Sequence, residues 1–387
     1  MPGASFGPAA AILIQLKFYR MKTRSDDRIR RARSVWNARE VLLLLIVLLA
    51  EVSSAQTATN RFGLAVEPFM RVTNGLTGAV ELQVAARKLV PANGNGPVIW
   101  LTGASHIGET NYYQQLQQHL DAQKLVLFEG IHAGRKASPA TNATPAEGKP
   151  SAAQAAAQSG ERTSLQADLA KSLGLVFQLQ AVDYTRAHFR NSDLSVQQLR
   201  ELMDKDDGPA PPESPKEKRK NEALEGLLKA MEGNSFLGTL LKAGFKLVGD
   251  NPKLQAMTKL ALIEALGNIR GDLSRMRSLP EDMQRLLEVL IQSRNDEVLK
   301  DLRAELKRSE PAASISIFYG AGHMEDLERR IRREFGYRAD SDLWLPAFTV
   351  DYAKAGLNLI EATLLRSMVQ KQMQDLLPLE KEAPKEK

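Results

Sequence analysis

Two stretches, Trp100–Leu120 (WLTGASHIGETNYYQQLQQHL) and Ile317–Phe335 (IFYGAGHMEDLERRIRREF), share one layout. Each runs from an apolar, strand-forming run into Gly-x-x-His and then into a segment whose apolar residues recur with helical spacing. Gly103 matches Gly320, and His106 matches His323. With 26 Gly and only five His in 387 residues, two such coincidences in matching contexts point to internal duplication of one strand-turn-helix unit. Gly103 and Gly320 at the strand ends let the backbone bend sharply and come close to a ligand. The small residues Ala104, Ser105, Ala321 and Gly322 leave each imidazole standing alone at its strand's carboxyl edge, where α/β sheets bind ligands. The acid placed to join them is Glu129, which ends the strand run Lys124–Phe128 (KLVLF) next to the first His turn. Two imidazoles and a carboxylate suit a divalent Zn, Mn, Fe or Co ion.

Working outward, Gly78–Val84 alternates apolar and polar residues with the period of a half-buried strand. Pro97–Thr102 is a second strand, Glu109–Ala122 a helix and Lys124–Phe128 a third strand, so Val98–Phe128 reads as a βαβ-type unit. Residues 134–162 are Ala, Pro, Ser, Thr and Gly with almost no large apolar side chain, the composition of a mobile insertion. Gln166–Leu173 is expected to be helical, Val176–Val182 a strand and Val196–Met203 helical, and 206–220 reads as a proline-rich, charged loop. Residues 222–307 carry helical periodicity throughout, as four or five helices, of which Phe236–Val248 reads as buried. Ser314–Phe318 returns to strand, Met324–Phe335 to helix and Asp342–Phe348 to strand. A long amphipathic helix, Tyr352–Leu377, closes the fold before a disordered tail, 378–387. The expected class is α/β, with two related halves around a central mixed sheet, a helical insertion between them and a long C-terminal helix.

Composition narrows the function. Of a net +6, about +5 sits in residues 1–55, so the body of the chain lacks the basic footprint of a nucleic-acid binder. Cysteine is absent, which excludes disulfides, Cys-ligated zinc and thiol catalysis. The leader is basic up to Arg39, uninterrupted and apolar over Val41–Ala50, and small-residue at Ser53-Ser54-Ala55. That order is the order of a secretory signal peptide, with mature protein from near Gln56 in the periplasm or outside the cell. Contact with a membrane is then expected only through an uncleaved leader. A start at Met21 gives a more ordinary leader and makes residues 1–20 a start-site artefact. No Walker loop, HExxH, Gly-x-Ser-x-Gly or dinucleotide fingerprint is present.

The anchors Gly103-Ala104-Ser105-His106, Glu129, Arg294-Asn295 and Gly320-Ala321-Gly322-His323, in that order, resemble the TraB/GumN family. That family includes the Tiki metalloproteases and is distantly similar to erythromycin esterases and haem-binding ChaN-type proteins. The resemblance covers most of residues 78–348. It implies a divalent metal, Mn or Co, held by His106, His323 and Glu129, and hydrolysis of peptide or amide bonds. It also implies that Arg294 stabilises an oxyanion or orients Glu129. The alternative on the same scaffold is a non-catalytic envelope protein that binds a peptide signal, haem or a metal. Lesser candidates are His132, read as exposed, and Asp183 or Arg186, which the resemblance sets at the pocket border, whereas the polarity of the segment 181–195 by itself reads as ordinary loop. His119 reads as a solvated helix residue.

Overall fold

Strand-forming runs separated by helices assemble into one seven-stranded mixed sheet, the α/β class expected. The computed structural model describes residues 66–75, 78–130, 165–195, 197–198, 201–202, 236–269 and 289–376. The segment expected to be a signal peptide (1–55), His132, the segments expected to be loops (134–162 and 206–220), parts of the expected helical insertion and the expected tail (378–387) lie outside the described residues.

The strands are β1 (Met70–Asn74), β2 (Ala79–Pro91), β3 (Val98–Ala104), the short β4 (Ile107–Gly108), β5 (Leu125–Phe128), the short β6 (Val176–Phe177), β7 (Phe189–Asn191), β8 (Ser314–Gly320) and β9 (Tyr337–Asp351). The helices are α1 (Thr110–Asp121), α2 (Leu165–Ser172), α3 (Gln178–Ala181), α4 (Phe236–Gly249), α5 (Pro252–Gly267), α6 (Arg294–Leu306), α7 (Met324–Phe335) and α8 (Leu359–Leu376). Strands β3, β8, β5 and β7 lie side by side and parallel, in that order. The antiparallel part is built on β2, which pairs with β1 through Val80–Val84, with β3 through Ala86–Leu89 and with β9 along its whole length.

Alternation along the parallel strands sorts their side chains between two helical layers. Ile99 and Leu101 of β3 and Ile315, Ile317 and Tyr319 of β8 share one core cluster with Val298, Leu299 and Leu302 of α6 and Met324, Leu327 and Ile331 of α7. The intervening residues, Thr102 and Ser316, turn to the other face. There Thr102 Oγ1 lies 2.8 Å from Ser316 Oγ and 3.1 Å from His119 Nε2 on α1.

Several elements depart from expectation. The strand expected at Val176–Val182 is only two residues long before the chain turns into α3, because β6 has just β4 to pair with and Gln178 N–H is drawn to the His106 carbonyl at 2.8 Å. The sheet strand of that region is β7, whose residues read as loop. β2 and β9 outrun their alternating cores because each satisfies the other's backbone over thirteen pairs. The closing helix starts at Leu359 rather than Tyr352, since Asn358 and Glu361 cap it reciprocally (2.8 and 3.2 Å). Over 242–249, the part of α4 whose side chains are described, Phe245 is turned inward and Leu247 is 65% exposed, so this part is not the buried helix expected. Among the described residues, no helix is long and apolar enough to cross a membrane.

His119 is the clearest single correction: it packs edge-on against Trp100 and bonds Thr102, and burial lowers its pKa from 6.5 to about 4. The unfolded chain therefore binds more protons than the folded one between those values, so stability is full above pH 6.5 and falls as pH drops toward 4. At about 1.4 kcal/mol per unit, discounted for partial exposure, His119 accounts for roughly 1–2 kcal/mol lost by pH 4.5. Denaturant melts at pH 7 and pH 4.5 should show that His119→Gln shrinks the difference by this amount. An unchanged difference would assign it to other groups.

Candidate functional site

The parallel register brings the two Gly-x-x-His turns together. Gly103 pairs with Tyr319 and Ala104 with Gly320, so His106 and His323 leave adjacent strand ends at the carboxyl edge of the sheet. Glu129 follows β5 on the other side of β8, and its N–H donates to the Phe318 carbonyl at 3.0 Å. This differs from the simple βαβ reading. β8 is inserted between β3 and β5, so Glu129 stands beside the second His turn and not the first. The edge runs His106, His323, Glu129 across three strands.

The two turns differ in detail. In the first, Ser105 N–H donates to Tyr112 Oη (3.1 Å), Tyr113 Oη–H donates to the Ser105 carbonyl (2.8 Å) and Ser105 Oγ donates to the Ile107 carbonyl (2.7 Å). Burial raises the pKa of both tyrosines, so they stay neutral donors and acceptors. Gly108 is required because a Cβ there would come within 2.7 Å of the Tyr112 ring. In the second turn, Ala321–His323 is one turn of 3₁₀ helix that runs straight into α7, and the His323 side chain is 0% exposed.

The proposed ligand contact of the glycines resolves into packing and hydrogen bonding. A Cβ on Gly103 would press on the Ala85 carbonyl and Val84 Cγ1, both at 3.1 Å, so this glycine serves the approach of β2. The Gly320 N–H donates to Glu129 Oε2 at 2.6 Å. Its φ of −49° is open to any residue, so its contribution is the amide and not glycine's conformational freedom.

His323 is held in one tautomer. Its Nδ1 lies 2.8 Å from Asn295 Oδ1, and Asn295 Nδ2 donates to Asp326 Oδ2 at 2.9 Å. A carboxylate can only accept, so the amide nitrogen faces Asp326, the amide oxygen faces the imidazole, and Nδ1 carries the proton. In the neutral ring Nε2 is therefore the unprotonated nitrogen, and it lies 3.8 Å from Glu129 Oε1.

Glu129 is itself fixed by Arg294, whose Nη2 hydrogen-bonds Oε1. The same guanidinium grips Asp193 with two bonds, Nε to Oδ1 at 3.0 Å and Nη2 to Oδ2 at 2.8 Å. Asp193 is 0% exposed, and its oxygens also accept from Gly130 N–H (2.9 Å) and Leu194 N–H (2.7 Å). Of the two roles expected for Arg294, orienting Glu129 is the one these contacts support. Asp193 was missed in the sequence, where Asn191-Ser192-Asp193 reads as loop. The available signal was Arg294 itself, a cation in a segment of helical periodicity that, once buried, requires an acidic partner.

Asp183 and Arg186 do not border the site. They pair with each other (3.4 Å), and Arg186 with Asp121 (3.2 Å), exposed at the amino end of β7, the opposite edge of the sheet.

The expected metal set was His106, His323 and Glu129. Adjacent strands are about 4.8 Å apart, so strand ends one strand removed from each other, as β3 and β5 are, stand about 10 Å apart. Among the described residues no three His, Cys, Asp or Glu side chains are grouped so as to hold a metal ion. Both oxygens of Glu129 already accept, one from a guanidinium. In this arrangement the three residues do not fit a shared ion. Comparison with models of known protein families, with curated proteins and with solved structures returns no match.

Breaking the buried pair should be costly, because Arg294 would keep its charge with the Asp193 counter-charge removed. Asp193→Asn, which changes shape little, is expected to destabilise the fold by about 3 kcal/mol in denaturant titration. A loss under about 0.5 kcal/mol, the level of an ordinary surface change, would show that the pair is not structural.

Proposed function

We propose that this chain is an exported hydrolase of peptide or amide bonds on a TraB/GumN-like scaffold, with its chemistry at His323 and Glu129. One observation carries the reading. An imidazole nitrogen with its lone pair set by Asn295 faces a carboxylate oxygen 3.8 Å away, at the carboxyl edge of parallel strands. Two acceptors held that close define a place for a group that donates protons, and a water there is polarised from both sides. His323 Nε2 takes the proton of the attacking water and returns it to the leaving amine. Glu129 stabilises the imidazolium that forms between the two steps and is kept in place by Gly320 N–H and Arg294. His106, one strand over, is the candidate donor to the carbonyl oxygen of the substrate.

The complete burial of His323 and the engagement of both Glu129 oxygens favour a second reading, a rigid binder of peptide without turnover. The two part experimentally. Purified protein incubated with unstructured peptides should generate new termini detectable by mass spectrometry, and Glu129→Gln and His323→Ala should each slow this by about 10²- to 10⁴-fold. Circular dichroism should confirm that both variants remain folded. Peptide recovered bound and uncut would favour the binder. Cleavage by Glu129→Gln at the rate of the unmodified protein would remove the site from the reaction.

A further inference from the structure

The ligand set expected from the resemblance disagrees with the contacts Glu129 makes, and the disagreement points to where the cation of this site comes from. Oε1, the oxygen nearest His323, is the one that accepts from Arg294 Nη2, and that same nitrogen reaches Asp193 Oδ2 at 2.8 Å. We infer that the Arg294 guanidinium is the resident cation of this site and stands where a divalent ion would have to sit to share Glu129 with His323. The chain thus works with no bound metal.

Three physical features support this. First, one guanidinium serves two carboxylates at once, Asp193 through a two-bond fork and Glu129 through Nη2, and its planar array of donors suits that geometry. Second, an arriving dication would meet this fixed positive charge. Displacing it would strip the counter-charge from Asp193, which has no exposure to water. Third, Arg294 is only 3% exposed, and the two paired acids offset the cost of burying its charge. Glu129 and Asp193 come from the ends of β5 and β7, so the guanidinium also ties two parallel strands to α6 at the reactive edge. A guanidinium stays charged at any pH the fold survives, which gives the site a fixed positive charge that does not dissociate.

The inference concerns the same site as the hydrolase reading and rests on that reading only where activity is measured. The full-length protein, purified without chelator, should be assayed for Mn, Co, Zn and Fe by elemental analysis. Its thermal midpoint should be measured with EDTA and with each ion added. The expected result is no stoichiometric metal and a midpoint unmoved by chelator or ion. Cleavage, where present, should be insensitive to EDTA. Arg294→Met, which frees both carboxylates beside His323, should gain a Mn- or Co-dependent rise in midpoint that the unmodified protein lacks. The measurement on the unmodified protein decides the matter even if this variant does not fold. One tightly held ion per unmodified chain, lost in Glu129→Gln or His323→Ala, overturns the inference. A metal-containing active enzyme would defeat this inference and leave the hydrolase reading intact, whereas a metal-free inactive chain would do the reverse.

Discussion

One guanidinium organises the reactive edge. Arg294 arrives from α6, Glu129 from the end of β5 and Asp193 from just beyond β7, and none of the three is near another in sequence. A buried carboxylate is tolerated only when paired and hydrogen-bonded, and Asp193 meets that condition through the fork to Arg294 and the Gly130 and Leu194 amides. With Asp193 fixed, the guanidinium has one orientation, and Glu129 is aimed toward His323. Removing this clasp would release the strand end and the catalytic candidate together.

The neighbouring residue on the same helix, Asn295, fixes the other half of the site. Its amide is oriented by Asp326 at the start of α7, so the first turn of α6 controls the carboxylate through Arg294 and the imidazole through Asn295. Two adjacent residues thus position both members of the candidate dyad. The tyrosines of α1 do comparable work at the first turn, clamping Ser105 from both sides of its peptide. The layout shared by the two sequence stretches therefore ends in two unlike turns. Both are buried, but the second is held through its histidine's side-chain bond to Asn295 and the first through contacts to the Ser105 backbone.

Much of this could be read from the chain before its folding was known. Gly-x-x-His after a strand run, repeated once, placed both histidines at the carboxyl edge, and the apolar runs at Val98, Leu125 and Ser314 became the parallel strands. What could not be read was adjacency. Nothing local to β8 says that it inserts between β3 and β5, because strand order is decided by long-range pairing. That insertion moved Glu129 from the first turn to the second. β7 is three residues long and carries no alternation, so only its partner β5 makes it a strand. Asp193 and His119 were misjudged for one reason: polarity in sequence suggests solvent, and both find hydrogen-bond partners inside instead.

The chemistry proposed for the reactive edge depends on the protonation of one imidazole, and a long-range ¹H–¹⁵N correlation spectrum of the histidine rings at neutral pH observes it directly. The result expected for His323 is a neutral ring with its proton on Nδ1, toward Asn295, and an unprotonated Nε2 toward Glu129. A proton on Nε2 under those conditions would contradict the account, because the lone pair assigned to the attacking water would not exist.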